Sequence, residues 1–289
     1  MEQPTSIAPE AYTDEYYRSG VEGHAEFAAS GGRALSPRMA HALDLANPRA
    51  DERVLDIACG RGEIVLQSAL RGAEALGIDY AAAALSIARR SFLDVAPRAA
   101  LARMDACRLA LRDGAFDVAL MLDFVEHVYQ PELERAFGEV ARALKRGGRL
   151  VVHTSPNRVF EETVWRQYVR NVHRLVLGAG GLLRARGRLI NELVLPTGAL
   201  PPHDEFEREL HVNPQSAGTL RAALGHAGFR VRRVEFWEPP RGRFFPPEER
   251  WRNLCVGLLD MVRFLRPASR FPPLNRFFSN HVWVVGERA

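Results

Sequence analysis

The feature that most restricts the fold of this chain is an alternation of short apolar runs and amphipathic stretches from residue 53 onward. The apolar runs predict strands, because strands buried on both faces of a parallel sheet are nearly continuous in aliphatic residues. The stretches between them have helical spacing. This alternation predicts an α/β domain in which helices cover both faces of a mostly parallel sheet.

Seven strands are predicted, at residues 53–58, 74–79, 99–105, 116–122, 149–154, 229–237 and 280–287. The main predicted helices cover residues 62–71, 81–91, 131–145 and 213–227. Gly147 and Gly148 are expected to stop the third of these helices, and Gly228 the fourth, since glycine commonly ends helices. The pattern is that of a Rossmann-like, doubly wound fold with a seven-stranded sheet.

Two segments interrupt the pattern, residues 157–210 after the fifth predicted strand and residues 238–279 after the sixth. We expect both to be insertions in one domain that covers residues 35–289. Residues 1–34 would form a separate N-terminal segment.

The insertions carry the positive charge of the chain. Residues 163–195 hold six arginines and one acid, and residues 241–276 hold eight arginines and three acids, although the net charge of the chain is only +4. Arginine is suited to phosphate and carboxylate groups through paired hydrogen bonds. The insertions are therefore expected to meet an anionic acceptor or an anionic membrane surface, the latter through an amphipathic stretch at 164–177.

Other features exclude several classes of protein. Cys59, Cys107 and Cys255 are far apart and form no CxxC pair, which argues against a disulfide framework or a zinc site and favours a reducing cytoplasm. The N-terminus is acidic and lacks the apolar core of a signal peptide, and no long uncharged apolar run predicts a transmembrane helix. The small net charge gives no reason to expect nucleic-acid binding.

The run VLDIACGRG carries the strongest chemical signal. Gly60 and Gly62 form a strand-to-helix turn without side chains, which lets a ligand approach the backbone. Asp79 ends the next predicted strand, 23 residues after Asp56, a spacing that suits a carboxylate holding ribose hydroxyls. Asp105 ends the third strand. These acids fall at the carboxyl edge of the predicted sheet, where open α/β folds bind ligands.

Together with GIDYAAAAL, LDFVEHV and ALKRGGRLVVHTSPN, this run resembles the motifs of the class I S-adenosylmethionine-dependent methyltransferases. The resemblance covers roughly residues 35–157. It implies a Rossmann-like methyltransferase that uses S-adenosyl-L-methionine as its cofactor. By position, it assigns to the cofactor Asp56, Gly60, Gly62, Asp79, Tyr80, Asp105, Ala106, Leu122 and Asp123.

The resemblance also implies a role for each of these residues. The two glycines would approach the methionine part of the cofactor, with Asp56 near its amino group. Tyr80 would flank the adenine and Asp105 would accept a hydrogen bond from the adenine amino group, with Ala106 beside it. Leu122 and the acid that follows it would close the floor of the pocket. The N-terminal pair Tyr16-Tyr17 would lie over the methionine end, or else would be a packing pair.

Two histidines are candidates for the general base. His127 follows the fourth strand, and His211 precedes the sixth. Histidine suits this role because its ordinary pKa is near neutrality. The alternatives are a structural histidine at 127 and, at 211, no more than the entry to a helix capped by Asn213. Glu126 is the substitute base if neither histidine acts.

Three further polar residues are candidates for contact with the methyl acceptor: His153 and Asn157 near the end of the fifth strand, and His203 in the first insertion. No metal site is expected, because the oxygen ligands near the predicted edge are too few.

Two other functions remain open. A nicotinamide-dependent oxidoreductase shares the strand, the turn and the acid, but its GxGxxG run requires a third glycine where this chain has Val65. A module that binds S-adenosyl-L-methionine without catalysis would keep the fold. For a methyltransferase, the expected reaction is O-methylation of a small molecule or of a glycan-linked or lipid-linked precursor. The sequence leaves the acceptor and the oligomeric state open.

Overall fold

A computed structural model describes residues 7–92, 98–169, 210–239 and 268–289. The strands are β1 (Arg53–Ile57), β2 (Glu74–Asp79), β3 (Ala99–Arg103), β4 (Phe116–Leu122), β5 (Leu144–Thr154), β6 (Phe229–Glu235) and β7 (Val282–Arg288). The α-helices are α1 (His24–Ser30), α2 (Pro37–Ala46), α3 (Glu63–Leu70), α4 (Ala82–Ser91), α5 (Gln130–Ala143), α6 (Ala217–His226) and α7 (Asn275–Phe278). The short 3₁₀ and π-helical segments are Pro9–Ala11, Tyr16–Gly20, Phe160–Val169 and Ala268–Arg270.

Within these residues, the seven strands form one sheet in the order β3-β2-β1-β4-β5-β7-β6. The ladders β1–β2, β1–β4, β2–β3 and β4–β5 are parallel, and β6–β7 is antiparallel. The predicted Rossmann-like, mostly parallel sheet is confirmed. The strand order changes direction between β1 and β4, and sheets of this kind open a crevice at that point, outside the carboxyl ends of the strands.

Apolar side chains of the two central strands form the core. Val54 and Leu55 of β1 and Leu120 of β4 are fully buried, as is Phe137 of α5. Helix α5 covers the sheet because its apolar residues recur at helical spacing and fall on one face. Such burial contributes about 1.5–3 kcal/mol per large side chain, so the sheet is a rigid support for the residues at its edge.

The predicted end of α5 is wrong. The helix ends at Ala143, and β5 begins at the next residue, Leu144, which pairs with Phe116 of β4. Gly147 and Gly148 therefore lie within β5 and do not stop the helix. Gly148 is needed for close approach instead, because a Cβ there would come within 2.8 Å of the Lys145 carbonyl oxygen.

Helix α6 also begins later than predicted. It starts at Ala217, four residues after Asn213, so Asn213 is not its cap. The residues between them are held outside the helix: the Arg158 amide donates to the Gln215 carbonyl at 2.9 Å, and the Gln215 side chain donates to the Asn213 carbonyl at 3.0 Å. Gly228 follows the helix with a φ of 87°, as its predicted role as a stop requires.

The chain divides into two compact units. The first comprises Met1–Thr154, Ala217–Glu235 and Trp283–Ala289, and the second comprises Ser155–Ser216 and Phe236–Val282. The predicted insertions belong mainly to the second unit. Much of them, including His203 and most of the amphipathic stretch at 164–177, lies outside the described residues. Among the described residues, no helix is long and apolar enough to cross a membrane.

Candidate functional site

A cavity of about 290 Å³ lies at the carboxyl ends of β1, β2 and β4, close to the lower end of the range of roughly 300–1,000 Å³ for small-molecule sites. All residues that line it belong to the first unit. Among them are eight of the nine residues assigned to the cofactor, namely Asp56, Gly60, Asp79, Tyr80, Asp105, Ala106, Leu122 and Asp123. The described fold therefore gathers the predicted residues around one space.

The glycine turn between β1 and α3 forms one wall. Gly60 has a φ of 53°, a conformation that favours glycine, and its amide donates to Asp79 Oδ2 at 3.0 Å. Gly62, the ninth predicted residue, is not part of this lining. A Cβ on Gly62 would lie 2.8 Å from the Phe92 ring, so the packing of the turn requires glycine here, and its contact with the cofactor remains a prediction.

Two acids next to this turn are buried, and no cationic side chain in the described part of the chain is their hydrogen-bond partner. Asp79 accepts hydrogen bonds from the amides of Gly60 and Ala81, the latter at 2.9 Å, and burial still raises its pKa above the ordinary value. Burial, and then the charges of Glu63 and Asp79, raise the pKa of Asp56 well above its usual range. Both carboxylates line the cavity, so a ligand that supplies hydroxyl donors or a positive charge would stabilise their ionised forms.

The end of the cavity near β3 presents Tyr80, Asp105 and Ala106. Asp105 stabilises the turn that follows it, because its Oδ1 accepts from the Cys107 amide at 2.8 Å. The Tyr80 carbonyl accepts from the Arg103 side chain at 2.9 Å, and burial raises the pKa of the Tyr80 hydroxyl to about 12. Tyr80 therefore stays a neutral, flat wall at physiological pH.

The floor near β4 is built differently. Asp123, in the left-handed region with a φ of 50°, is ion-paired with the Arg38 guanidinium. Its other oxygen accepts from His153 Nδ1 at 2.6 Å. Burial lowers the pKa of His153 well below its usual range, so the imidazole is neutral and Nδ1 carries the donated hydrogen. The same ring packs on Trp283 with the centroids 4.0 Å apart.

Aromatic side chains of the N-terminal segment also line the cavity. Tyr12, Tyr16 and Tyr17 belong to the lining, and Tyr12 and Tyr17 are buried. The ring of Tyr17 lies 3.7 Å from the position that a Cβ on Gly60 would occupy. The hydroxyl oxygen of Tyr12 and Nδ1 of His127 are 3.2 Å apart. Tyr17 therefore lies beside the glycine turn, and the position of the Tyr16-Tyr17 pair over the methionine end remains a prediction.

Arg61 fastens this segment to the turn. Its guanidinium donates to the carbonyl oxygens of Tyr17 at 3.1 Å and Glu22 at 2.8 Å, and to Glu63 at 2.9 Å. Only 2% of Arg61 is exposed. This role cannot be predicted from the sequence, because the carbonyl partners of Arg61 are about 40 residues away along the chain. The link is visible only once residues 17–22 are placed beside the turn.

The candidates for the general base and for contact with the acceptor differ in whether they face the cavity. His127 lines the cavity. Glu126 does not, because it is fully buried and accepts from the Thr154 hydroxyl at 3.0 Å. Glu126 is thus a poor substitute base. His153 is fully buried against Trp283 and is not among the lining residues, which removes it from the acceptor side.

Two further candidates lie in the second unit. The side chain of Asn157 is fully buried and donates to the Ser279 carbonyl at 2.9 Å, a structural role and not an acceptor contact. His211 is half-buried and also belongs to the second unit, while the cavity is formed by the first. Its role as a base remains a prediction.

The donor and acceptor groups of the cavity fit S-adenosyl-L-methionine. A bare glycine backbone with positive φ gives room for close approach. Asp56 and Asp79 are buried acceptors suited to an ammonium group and to hydroxyls. The tyrosine rings supply flat apolar walls for a planar base or a sulfonium.

Comparison with known proteins agrees with this geometry. Residues 54–148 match the family model described as "Methyltransferase domain". A demethylmenaquinone methyltransferase of Thermus thermophilus is 33% identical over 196 residues, which cover 66% of this chain and 80% of that protein. A ubiquinone biosynthesis O-methyltransferase of Alkalilimnicola ehrlichii is 37% identical over 103 residues, 35% of this chain and 41% of the relative, so the chain spans less than half of that protein.

Among solved structures, the geranyl diphosphate C-methyltransferase of Streptomyces coelicolor A3(2) has the same fold. Its structure in complex with Mg²⁺, geranyl diphosphate and S-adenosyl-L-homocysteine superposes with a TM-score of 0.51 at 17% identity. The superposition covers 87% of this chain and 78% of the other.

Proposed function

Since the chain belongs to the class I S-adenosylmethionine-dependent methyltransferases, we propose that it methylates an oxygen atom of a small lipophilic or lipid-linked acceptor. The observation that carries this proposal is the cavity beyond the ends of β1, β2 and β4, where a glycine turn and two buried acids, bonded to no cationic side chain of the described residues, face one space. The nicotinamide alternative is not favoured, because its third glycine is missing and the named relatives are methyltransferases.

In this proposal the first unit holds the cofactor. Asp79 accepts from the ribose hydroxyls, since each of its oxygens retains a lone pair besides the one that the backbone uses. Asp56 faces the methionine ammonium group, and the positive charge returns its carboxyl to the ionised form. Tyr80 and Asp105 contact the adenine, with Ala106 beside them, while Leu122 and Asp123 form the floor.

The bound cofactor supplies a methyl group that is already activated on a positively charged sulfur. What remains for the protein is to align the acceptor, to exclude water and to take up the acceptor's proton. Alignment in a closed site can supply several kcal/mol, up to about 7–11 kcal/mol in the best cases. Tyr12, Tyr16 and Tyr17 exclude water, because their rings close the cavity on the side away from the sheet.

His127 is the proposed base. An alcohol or phenol is protonated at neutral pH, so a base at the cavity wall lowers the barrier as the proton leaves. The Tyr12 hydroxyl lies within hydrogen-bond distance of His127 Nδ1, and burial raises the pKa of Tyr12, which keeps it a hydroxyl. If that hydroxyl accepts from Nδ1–H, the basic lone pair of the imidazole is on Nε2.

Two observations support the proposed class of acceptor. One relative is named a demethylmenaquinone methyltransferase and another a ubiquinone biosynthesis O-methyltransferase; both names favour an apolar quinone-type ring as the acceptor, and the second favours oxygen as the methylated atom. The arginines of residues 163–195 and 241–276 favour an acceptor with a phosphate or carboxylate, a glycan-linked precursor being the second candidate, or contact with an anionic membrane.

The test is methyl transfer, measured as release of S-adenosyl-L-homocysteine with a panel of ring hydroxyls with and without an isoprenoid tail. We expect His127→Ala to lower turnover on the best acceptor by about 10²-fold or more while cofactor affinity stays within a few-fold. His211→Ala is the matched variant for the other candidate. If both variants keep normal turnover, histidine base catalysis is wrong, and alignment alone must account for the rate.

A further inference from the structure

The second unit carries an apolar surface that the cofactor cavity does not explain. Phe271 is 62% exposed, Leu274 47% and Phe277 39%. Single exposed apolar side chains are common on protein surfaces, but a cluster of large ones marks a site of interaction. We call these three residues, together with Arg270 and Arg276, the Phe271 patch.

The three apolar side chains are exposed within seven residues of the chain. The Asn275 amide donates to the Phe271 carbonyl at 3.0 Å, and the Phe278 amide donates to the Leu274 carbonyl at 3.2 Å, so the segment is folded into consecutive local turns. Because the segment is short and folded in this way, we treat the three exposures as one surface patch.

The opposite side of the segment is fixed to the interior of the same unit. The buried Asn157 side chain donates to the carbonyls of Ser279 at 2.9 Å and Arg276 at 3.3 Å, and the Asn157 amide donates to the Asn280 carbonyl at 2.8 Å. Asn157 and Ser279 are fully buried. Because one side is held in this way, the outward direction of Phe271, Leu274 and Phe277 is built into the fold.

The charged side chains of the segment itself are arginines. Arg270 and Arg276 are exposed, and no acid occurs in the sequence from 268 to 281. The Arg276 guanidinium lies over the Phe277 ring, 4.6 Å from its centroid, so cation and apolar ring share one surface. An acid from elsewhere in the chain, Glu238, accepts from the hydroxyl of the buried Ser279 at 3.1 Å. Aromatic side chains flanked by arginine, with no acid between them, match the boundary between anionic headgroups and hydrocarbon.

We propose that the Phe271 patch docks the protein on an anionic lipid surface, with Phe271, Leu274 and Phe277 below the headgroups and Arg270 and Arg276 against the phosphates. This inference rests on the proposed function for its purpose, since a lipophilic acceptor would be dissolved in that surface. The docking itself needs neither cofactor nor acceptor, and it can be measured separately from methyl transfer.

The experiment is flotation of the full chain with vesicles of phosphatidylglycerol and phosphatidylcholine in equal parts, and with vesicles of phosphatidylcholine alone, at low salt. We expect retention by the anionic vesicles only, weakened by added salt. Serine at all three apolar positions (Phe271→Ser, Leu274→Ser and Phe277→Ser together) should lower the apparent affinity at least about tenfold. Arg270→Gln with Arg276→Gln should lower it about fivefold per arginine.

The controls lie in the first unit. Leu70, 50% exposed and next to Arg71, is the matched apolar position, and Leu70→Ser should leave retention unchanged. Arg221→Gln with Arg230→Gln is the matched exposed arginine pair. Absence of wild-type retention, or equal losses in patch and control variants, overturns the proposal. So does a dimer that the serine variant abolishes, because a second copy would then cover the patch. Normal cofactor binding by the serine variant separates this outcome from failure of the proposed function.

Discussion

The two sides of the cavity hold their acids in opposite ways. On the side of β1 and β2, Asp56 and Asp79 are buried without a cationic side chain as hydrogen-bond partner, and burial raises the pKa of both. On the side of β4, Asp123 is ion-paired with Arg38 and hydrogen-bonded to His153. Arg38 in turn donates to Glu22 at 2.9 Å. On the side of β1 and β2 the positively charged or hydroxyl partner of the acids must come from a ligand, whereas on the side of β4 the protein itself supplies the partner.

The acids on the two sides of the cavity therefore have different roles, ligand binding on one side and stabilisation of the fold on the other. A buried carboxylate without a positively charged partner costs stability, and such a cost is typical of functional sites. A carboxylate with such a partner holds elements together, and here Asp123 links the ends of β4 and β5 to α2 and to Glu22 of the N-terminal segment. Variants on the two sides should therefore change different quantities.

The largest effect is expected from Arg38→Met. Arg38 is 6% exposed, and its loss leaves Glu22 and one oxygen of Asp123 without their ion pair. Breaking a buried pair by removing one partner costs about 3–5 kcal/mol, and the partial exposure of both acids should bring the loss to about 2–3 kcal/mol. Denaturant unfolding at neutral pH measures it.

The matched control is Arg232→Met. Arg232 pairs with Glu287 at 2.9 Å, but both side chains are exposed by more than a third. A pair of this kind contributes about 1 kcal/mol or less. Equal losses from the two variants would contradict the structural role of the buried network.

A smaller effect of the opposite sign is expected from Asp56→Asn. The folded pKa of Asp56 is raised, so the folded chain binds this proton more tightly than the unfolded chain does. Its contribution to stability is greatest below the unfolded pKa of about 4, and it is lost as the pH rises through the folded pKa. Asparagine is neutral at every pH. At neutral pH the variant should therefore unfold a few degrees higher than wild type, while its affinity for S-adenosyl-L-methionine falls.

Asp117 is the control for the expected direction of the change in unfolding temperature. Its burial is outweighed by hydrogen bonds from Lys145 and the Arg53 amide, and its pKa is lowered. Asp117→Asn should therefore lower the unfolding temperature at neutral pH. A decrease in both variants would show that the raised pKa of Asp56 is not a cost to the fold.

The side of the cavity next to β1 and β2 could be predicted from the sequence, because its parts are local. Asp79 ends β2 and Asp56 is the last but one residue of β1, so the strand pattern alone sets their place near the sheet edge. Strands β2 and β4 begin and end at the predicted residues for the same reason. The end of α5 could not be predicted, because the pairing of Leu144 with Phe116 replaces the expected stop at the glycines.

The side next to β4 is predictable only in part. Motif position places Leu122 and Asp123, but Arg38 and His153 come from distant parts of the chain and carry no local signal for an ion pair. The sequence predicts His153 and Asn157 as acceptor residues, since polar residues after a strand usually face the crevice. Burial in the two units gives both a structural role instead. The sequence alone also cannot tell why position 62 is a glycine, because packing against Phe92 requires glycine there as strictly as a ligand would.

The central claim is that the acids beside the glycine turn complete a site for S-adenosyl-L-methionine, and calorimetric titration of Asp79→Ala tests it most directly. For wild type we expect a micromolar Kd, roughly −8 kcal/mol. Loss of the Asp79 carboxylate removes charge-assisted bonds worth about 1.5–3 kcal/mol each, so the variant should bind at least tenfold more weakly. Asp117→Ala, outside the cavity, should bind as wild type does. Unchanged affinity in a folded Asp79→Ala variant would contradict the account.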